Sequence, residues 1–160
     1  ITLETEMQAS IVSERPEILI LNGPNLNMLG TREPELYGAE TLDDVDAMCA
    51  DHAATLGLAT DFRQSNFEGE MVTIIQQARG SASGIIINAG AYTHTSVAIH
   101  DALRVADLPV IEVHISNIHR REAFRHTSYI SSVAEGIIVG LGTQGYVLAL
   151  DGMARILDRT

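Results

Sequence analysis

Short apolar runs alternate with helical segments along almost the whole chain, and that alternation narrows the fold more than any other feature. Glu17–Asn22 (EILILN), Gly84–Asn88 (GIIIN), Pro109–His114 (PVIEVH) and Gly136–Gly140 (GIIVG) read as buried strands, and Ala59–Gln64 as a further strand between the first two. Between them lie helical patterns. Thr41 and Asp44 form a capping-box pattern that opens a helix through about Leu56, and Gly69–Arg79 puts Met71, Ile74, Ile75 and Ala78 on one face. Ser96–Val105 and Thr143–Leu157 are the remaining helices, with a short helical turn at Arg121–Arg125. Strands separated by helices through short connections predict a parallel sheet covered on both faces. Five such strands predict an α/β, three-layer, flavodoxin-like doubly wound fold with strand order 2-1-3-4-5. Residues 1–16 read as a polar N-terminal arm, and 17–160 as a single domain.

Composition excludes several kinds of chemistry. All ten residues of the Lys+Arg count are arginine, so no lysine is present for a Schiff base or a phosphate-loop cation. The net charge of −11 argues against a nucleic-acid partner. No apolar run reaches the ~20 residues of a membrane helix. The single cysteine, Cys49, forms no intrachain disulfide, sits in a helical pattern as a packing residue, and suits a cytoplasmic location.

In doubly wound folds ligands gather at the carboxyl ends of the strands, beside the switch in strand order. Those ends are polar throughout: Asn22 and Asn25; Ser65 and Asn66; Asn88, Tyr92, His94 and Ser96; Glu112, His114, Ser116 and Asn117; Thr143 and Gln144. Glu112 and His114, two apart on one strand, share a face. A carboxylate beside an imidazole fixes its tautomer and raises its basicity, which suits a general acid or base; a purely structural hydrogen bond reads equally from the pair alone. A metal set of His94, Glu112 and His114 has the right residue types without a tight ligand spacing. Ser96 lacks a nucleophile elbow and reads as a helix N-cap. The stretch NGPNLNMLGTREPELYG forms a polar floor followed by a flap with hinges at Gly30 and Gly38. On that flap Arg32 can hold Tyr37 as a phenolate base, or Tyr37 can simply pack on a surface loop.

ILNGPNLNMLGTREPELYG, RQSNFEGE, INAGAYTHTSVAIHDAL, IEVHISNIHRREAFRHTSYIS and GIIVGLGTQGYVLAL, in that order, resemble the type II 3-dehydroquinate dehydratases from about Ile18 to Leu150. The resemblance implies reversible dehydration of 3-dehydroquinate to 3-dehydroshikimate, a step of the shikimate pathway, without metal or cofactor. It implies a homo-oligomer, a dodecamer built from trimers. It makes Tyr37 the base and Arg32 the cation that favours its phenolate. It implies that Asn25 acts on the enolate through a water, that His114 is the acid, and that Glu112 is its orienting partner. By the same resemblance, Asn88 and His94 are expected to hold substrate hydroxyls, Ile115 and Ser116 to bind the carboxylate, Arg125 to contact a ring hydroxyl, and Asp101 to reach a neighbouring subunit's site. Phe67 stands where the family often has histidine, and His100 where arginine is common. A metal-dependent hydrolase built on the two histidines and Glu112, and a flavodoxin-like binding module without catalysis, are the alternatives.

Overall fold

The computed structural model describes residues 3, 15–31 and 34–159, at 36 and 37 the backbone alone. Most of the N-terminal arm, and Arg32 on the flap, lie outside the described residues. The strands are β1 (Glu17–Asn22), β2 (Ala59–Gln64), β3 (Gly84–Asn88), β4 (Val110–His114) and β5 (Gly136–Val139). They pair in parallel, in the order β2-β1-β3-β4-β5, as the strand–helix alternation predicts. The helices are α1 (Pro34–Tyr37), α2 (Leu42–Thr55), α3 (Glu68–Ala78), α4 (Val97–Ala106) and α5 (Gln144–Leu157).

The two sheet faces bury separate cores. Leu19, Leu21, Ile85 and Ile87 pack with Met71, Ile75, Ile99 and Leu103 of α3 and α4. Ile18, Ile20, Ile86, Ile111 and Val113 pack with Val45, Cys49, Leu150 and Met153 of α2 and α5. Adjacent residues of one strand thus serve opposite cores, which is why β1 and β3 are apolar at successive positions rather than alternating. β2 lies at the sheet edge and carries an Asp61–Arg63 ion pair of 2.9 Å, so its sequence is the most polar of the five.

The helix starts follow their chemistry. Thr41 and Asp44 form the reciprocal capping box, with bonds of 3.2 and 2.9 Å. The Ser96 hydroxyl accepts the Ile99 amide at 2.9 Å as the N-cap of α4. The helical turn expected at Arg121–Arg125 is a 3-10 turn over Ala123–Arg125. The flap, expected as loop, contains the short helix α1, closed by the Gly38 amide on the Pro34 carbonyl at 2.8 Å.

Candidate active site

The site begins where the chain leaves β1. The Gly23 amide donates to the Asn88 carbonyl at 2.8 Å, so the loop after β1 lies directly on the loop after β3. A Cβ at Gly23 would stand 2.2 Å from the Ala89 carbonyl oxygen, which leaves room only for glycine. Asn25 then takes a left-handed backbone, φ 70°, a conformation that asparagine tolerates better than most residues. Its amide donates to Asn66 Oδ1 at 3.1 Å, and Gln64 Nε2 braces both Asn66 Oδ1 and the Gly23 carbonyl at 3.1 Å. The RQSN segment therefore acts as a strut that holds the polar floor.

Beneath the floor lies a buried polar chain. The Tyr146 hydroxyl donates to Asn22 Oδ1 at 2.6 Å and accepts from Asn88 Nδ2 at 2.9 Å; Asn22 Nδ2 donates to the Arg63 carbonyl at 3.1 Å. Burial pushes the Tyr146 phenol well above its ordinary range, against the opposing bond from Asn88, so it stays neutral. The chain fixes Asn88 where β1 and β3 end side by side, at the switch in strand order.

β4 delivers the acid–base pair. Val110, Glu112 and His114 point to the α3–α4 side, as the two-residue spacing predicts. His114 Nε2 lies 2.5 Å from Glu112 Oε2, with side-chain exposures of 5% and 1%. Ser128 Oγ donates to Glu112 Oε2 at 2.9 Å, and Ser131 Oγ to Oε1 at 2.5 Å. Burial alone would raise the Glu112 pKa, but the bonds from His114, Ser131 and Ser128 outweigh it and hold the carboxyl below its ordinary value. With Nε2 engaged by Glu112, Nδ1 is the nitrogen that His114 has left for a ligand.

His94 stacks near His114, with ring centroids 6.4 Å apart and planes at 20°. Its Nδ1 lies 2.7 Å from the Thr127 carbonyl, so Nδ1 carries hydrogen and Nε2 is an acceptor in the neutral ring. Burial lowers the His94 pKa; the Thr127 bond opposes this, and the charges of His114 and Arg125 add to it. Arg121 Nη1 donates to Ser116 Oγ at 3.2 Å, which leaves the serine's own hydrogen for an anion. Arg125 is held by Glu122 at 2.7 Å and lies 4.9 Å over the Phe124 ring.

A cleft of about 210 Å³ gathers Asn25, Asn88, His94, His114, Ile115, Ser116 and Arg125, with Pro24, Leu26, Met28, Leu29 and Ile118 as its apolar wall. That is below the ~300–1,000 Å³ of sites for drug-sized ligands, and suits a small polar molecule. Of the other expected site residues, Glu112 lies directly behind His114, and Asp101 is exposed on α4 away from the cleft. Arg32 and the Tyr37 side chain fall outside the described residues. Among the described residues no group of three or more His, Cys, Asp or Glu is arranged to hold a metal. Glu112 gives its oxygens to three donors and His94 turns Nδ1 to a carbonyl, so the metal set suggested by residue type is not a ligand set here.

Four residues of the site carry no signal in the sequence: Arg121 in the cleft, Ser128 and Ser131 behind it, and Tyr146 beneath it. His100, which stands where the family commonly has arginine, places Nδ1 2.6 Å from the Tyr129 carbonyl of its own chain. Phe67 is 70% exposed at the N-terminal boundary of α3.

A doubly wound α/β chain with a carboxylate-held histidine at the end of β4, one strand from the switch in strand order, is the frame of an acid–base enzyme. The chain belongs to the Dehydroquinase class II family, whose model matches residues 16–154. It is 60% identical over 144 residues to the 3-dehydroquinate dehydratase 2 of Pseudomonas putida, covering 90% of this chain and 97% of that protein. It is 59% identical over 140 residues to the 3-dehydroquinate dehydratase of Streptomyces coelicolor, covering 87% and 89%. The crystal structure of the type II dehydroquinase from Propionibacterium acnes superposes with a TM-score of 0.83 at 47% identity, covering 87% of this chain and 96% of that one. Membership of the family makes the chain an enzyme, a carbon–oxygen lyase of the hydro-lyase class.

Proposed function

We propose that the chain catalyses the reversible elimination of water from 3-dehydroquinate to give 3-dehydroshikimate, through an enolate, with Tyr37 as base and His114 as acid. The observation that carries the reading is the His114–Glu112 pair at 2.5 Å, opening onto a small polar cleft in a chain of this family. A proton next to a ketone is only weakly acidic, so its removal needs a strong base and a held enolate oxygen. The Tyr37 phenolate, favoured by the Arg32 guanidinium, takes that proton. Asn25 holds a water against the developing oxyanion. The electron pair then expels the tertiary hydroxyl, which takes a proton from the His114 imidazolium and leaves as water. Glu112 orients the ring and stabilises its cation. Asn88 and neutral His94 receive substrate hydroxyls, Arg125 contacts a ring hydroxyl, and the Ile115–Ser116 strand end binds the carboxylate.

Neither a metal nor a cofactor has a step in this sequence, and the lysine-free chain offers no Schiff base. Asp101, exposed and outside its own cleft, serves a neighbouring protomer in a trimer, and trimers assemble to a dodecamer in the cytoplasm. The test is turnover of 3-dehydroquinate followed by ultraviolet absorbance of the conjugated enone, with EDTA present. Tyr37→Phe and His114→Ala, each still folded, should each lose ~10²- to 10⁴-fold in kcat, the worth of a placed proton-transfer group. Near-normal turnover in either variant removes that residue from its role. Loss of activity to EDTA alone would restore the metal-dependent alternative. Asp101→Ala should raise KM and weaken assembly; an unchanged KM and an unchanged mass in solution would leave the subunit-crossing role without support.

A further inference from the structure

One pentapeptide, residues 127–131, fastens both cleft histidines. Its first carbonyl, on Thr127, takes His94 Nδ1 at 2.7 Å. Its two serines donate to both oxygens of Glu112, the carboxylate that holds His114. The direction of the Ser128 bond is fixed, because its oxygen already accepts the amides of Ile130 and Ser131, each at 3.1 Å. Its own hydrogen is therefore free only for Glu112 Oε2. The segment is itself anchored: the Tyr129 amide donates to the Thr93 carbonyl at 2.9 Å, the Tyr129 carbonyl holds His100, and Ile130 is fully buried.

We propose that Ser128 and Ser131 are positioning residues of the acid, which keep Glu112 an immobile anion and so set the pH at which His114 gives up its proton. The physical argument is a comparison of acceptors. A buried carboxylate bonded only to His114 concentrates its charge on that one contact, and either draws the proton to itself or holds it on the ring too tightly. Two hydroxyl donors spread the charge over further bonds and weaken that hold, without adding a titrating group. With the His114 bond they engage both Glu112 oxygens, so turning the carboxylate would break more than one bond. His94, Arg121 and Arg125 are the other titratable or charged groups lining the cleft beside the pair, among the described residues, and all stay in place in the variants below.

The role rests on the proposed dehydration, but part of its test does not. The first readout is the imidazole titration of His114, followed by nuclear magnetic resonance in the ligand-free protein. Ser131→Ala should move that titration to higher pH, because the carboxylate loses a donor and attracts the proton more strongly. The second readout is the pH profile of turnover. Ser131→Ala should lower kcat on the order of tenfold, a fraction of the full worth of a general acid, with KM changed by less than about twofold. The pH limb belonging to the acid should shift upward with the titration. Ser131→Thr, which keeps the hydroxyl, should restore both readouts, and Ser128→Ala should shift them in the same direction as Ser131→Ala. If Ser131→Ala does not fold, Ser131→Cys keeps the size with only a weak donor and replaces it. A folded variant whose His114 titration and acid limb match the parent protein would overturn the proposal, whatever its melting temperature. A parent protein that fails to turn over 3-dehydroquinate would sink the proposed function instead, while the titration would still decide the role of the serines.

Discussion

Tyr146 shows how far a single side chain reaches in this molecule. It is fully buried, and its hydroxyl joins Asn22 and Asn88, the last residues of two neighbouring strands. Tyr146→Phe keeps the ring and deletes the oxygen, leaving a buried carbonyl and a buried amide without their partner. The expected loss is ~1–3 kcal/mol of stability, the cost of unpaired buried polar groups, read as a lower urea midpoint with an unchanged slope. Asn88 also lines the cleft, so the same variant should bind substrate less well. A midpoint equal to that of the parent protein would mean that water replaces the hydroxyl. Cys49 is the contrasting case. Burial, with some help from the Asp46 charge, pushes its thiol up to about 12. It is a packing residue of the α2–α5 core, as its helical setting suggests, and its thiolate is scarce at neutral pH.

At the scale of elements, β4 carries the sharpest consequence. Glu112 is a carboxylate between apolar neighbours on its strand, and its three bonds hold its pKa below the ordinary 4.5 despite burial. A carboxyl lowered by folding adds stability that is fully present above its unfolded pKa and is lost as pH falls through the folded value. Urea midpoints should therefore fall as the pH drops below about 4.5, and Glu112→Gln should flatten part of that limb. Asp44, lowered by its capping bonds to Thr41, supplies another part, so the limb should not vanish. An acid limb identical in the Gln variant would show that the pairing contributes nothing to stability. β4 also shows what the sequence makes legible. Glu112 and His114 are two residues apart, so strand periodicity alone puts them on one face. Ser128 and Ser131 reach the same carboxylate from 16 and 19 residues downstream, through irregular chain that has no period to read. Tyr146 meets Asn22 across 124 residues, and only the closed sheet brings them together. Strand bounds were readable because β1, β3 and β4 are buried on both faces. The helical turn in the flap was not, because four residues carry too little pattern to separate helix from loop.

The charge of the whole molecule sets a problem for an anionic substrate. The chain carries −11, yet Arg120, Arg121 and Arg125 fall within a few residues of one another along the chain, with His119 and His126 beside them. Arg121 and Arg125 line the cleft, while Arg120 is exposed and makes no ion pair among the described residues. Which charge an approaching carboxylate feels depends on the screening length. At ~0.01 M ionic strength that length is ~30 Å, comparable to the subunit, so the net negative charge acts on the substrate. At ~0.15 M it is ~8 Å, so distant acids are screened and the arginine rim dominates. At ~1 M, where it is ~3 Å, the rim is screened as well. The rate constant kcat/KM should therefore pass through a maximum as salt is added, with kcat nearly constant. Arg120→Gln, outside the chemistry, should lower the maximum by about twofold, as befits one exposed charge worth a few tenths of a kcal/mol. A steady fall from the lowest salt would mean that the rim prevails at every distance. A flat profile would mean that binding is controlled by closure of the flap rather than by encounter, and would move the search for rate control to Gly30 and Gly38.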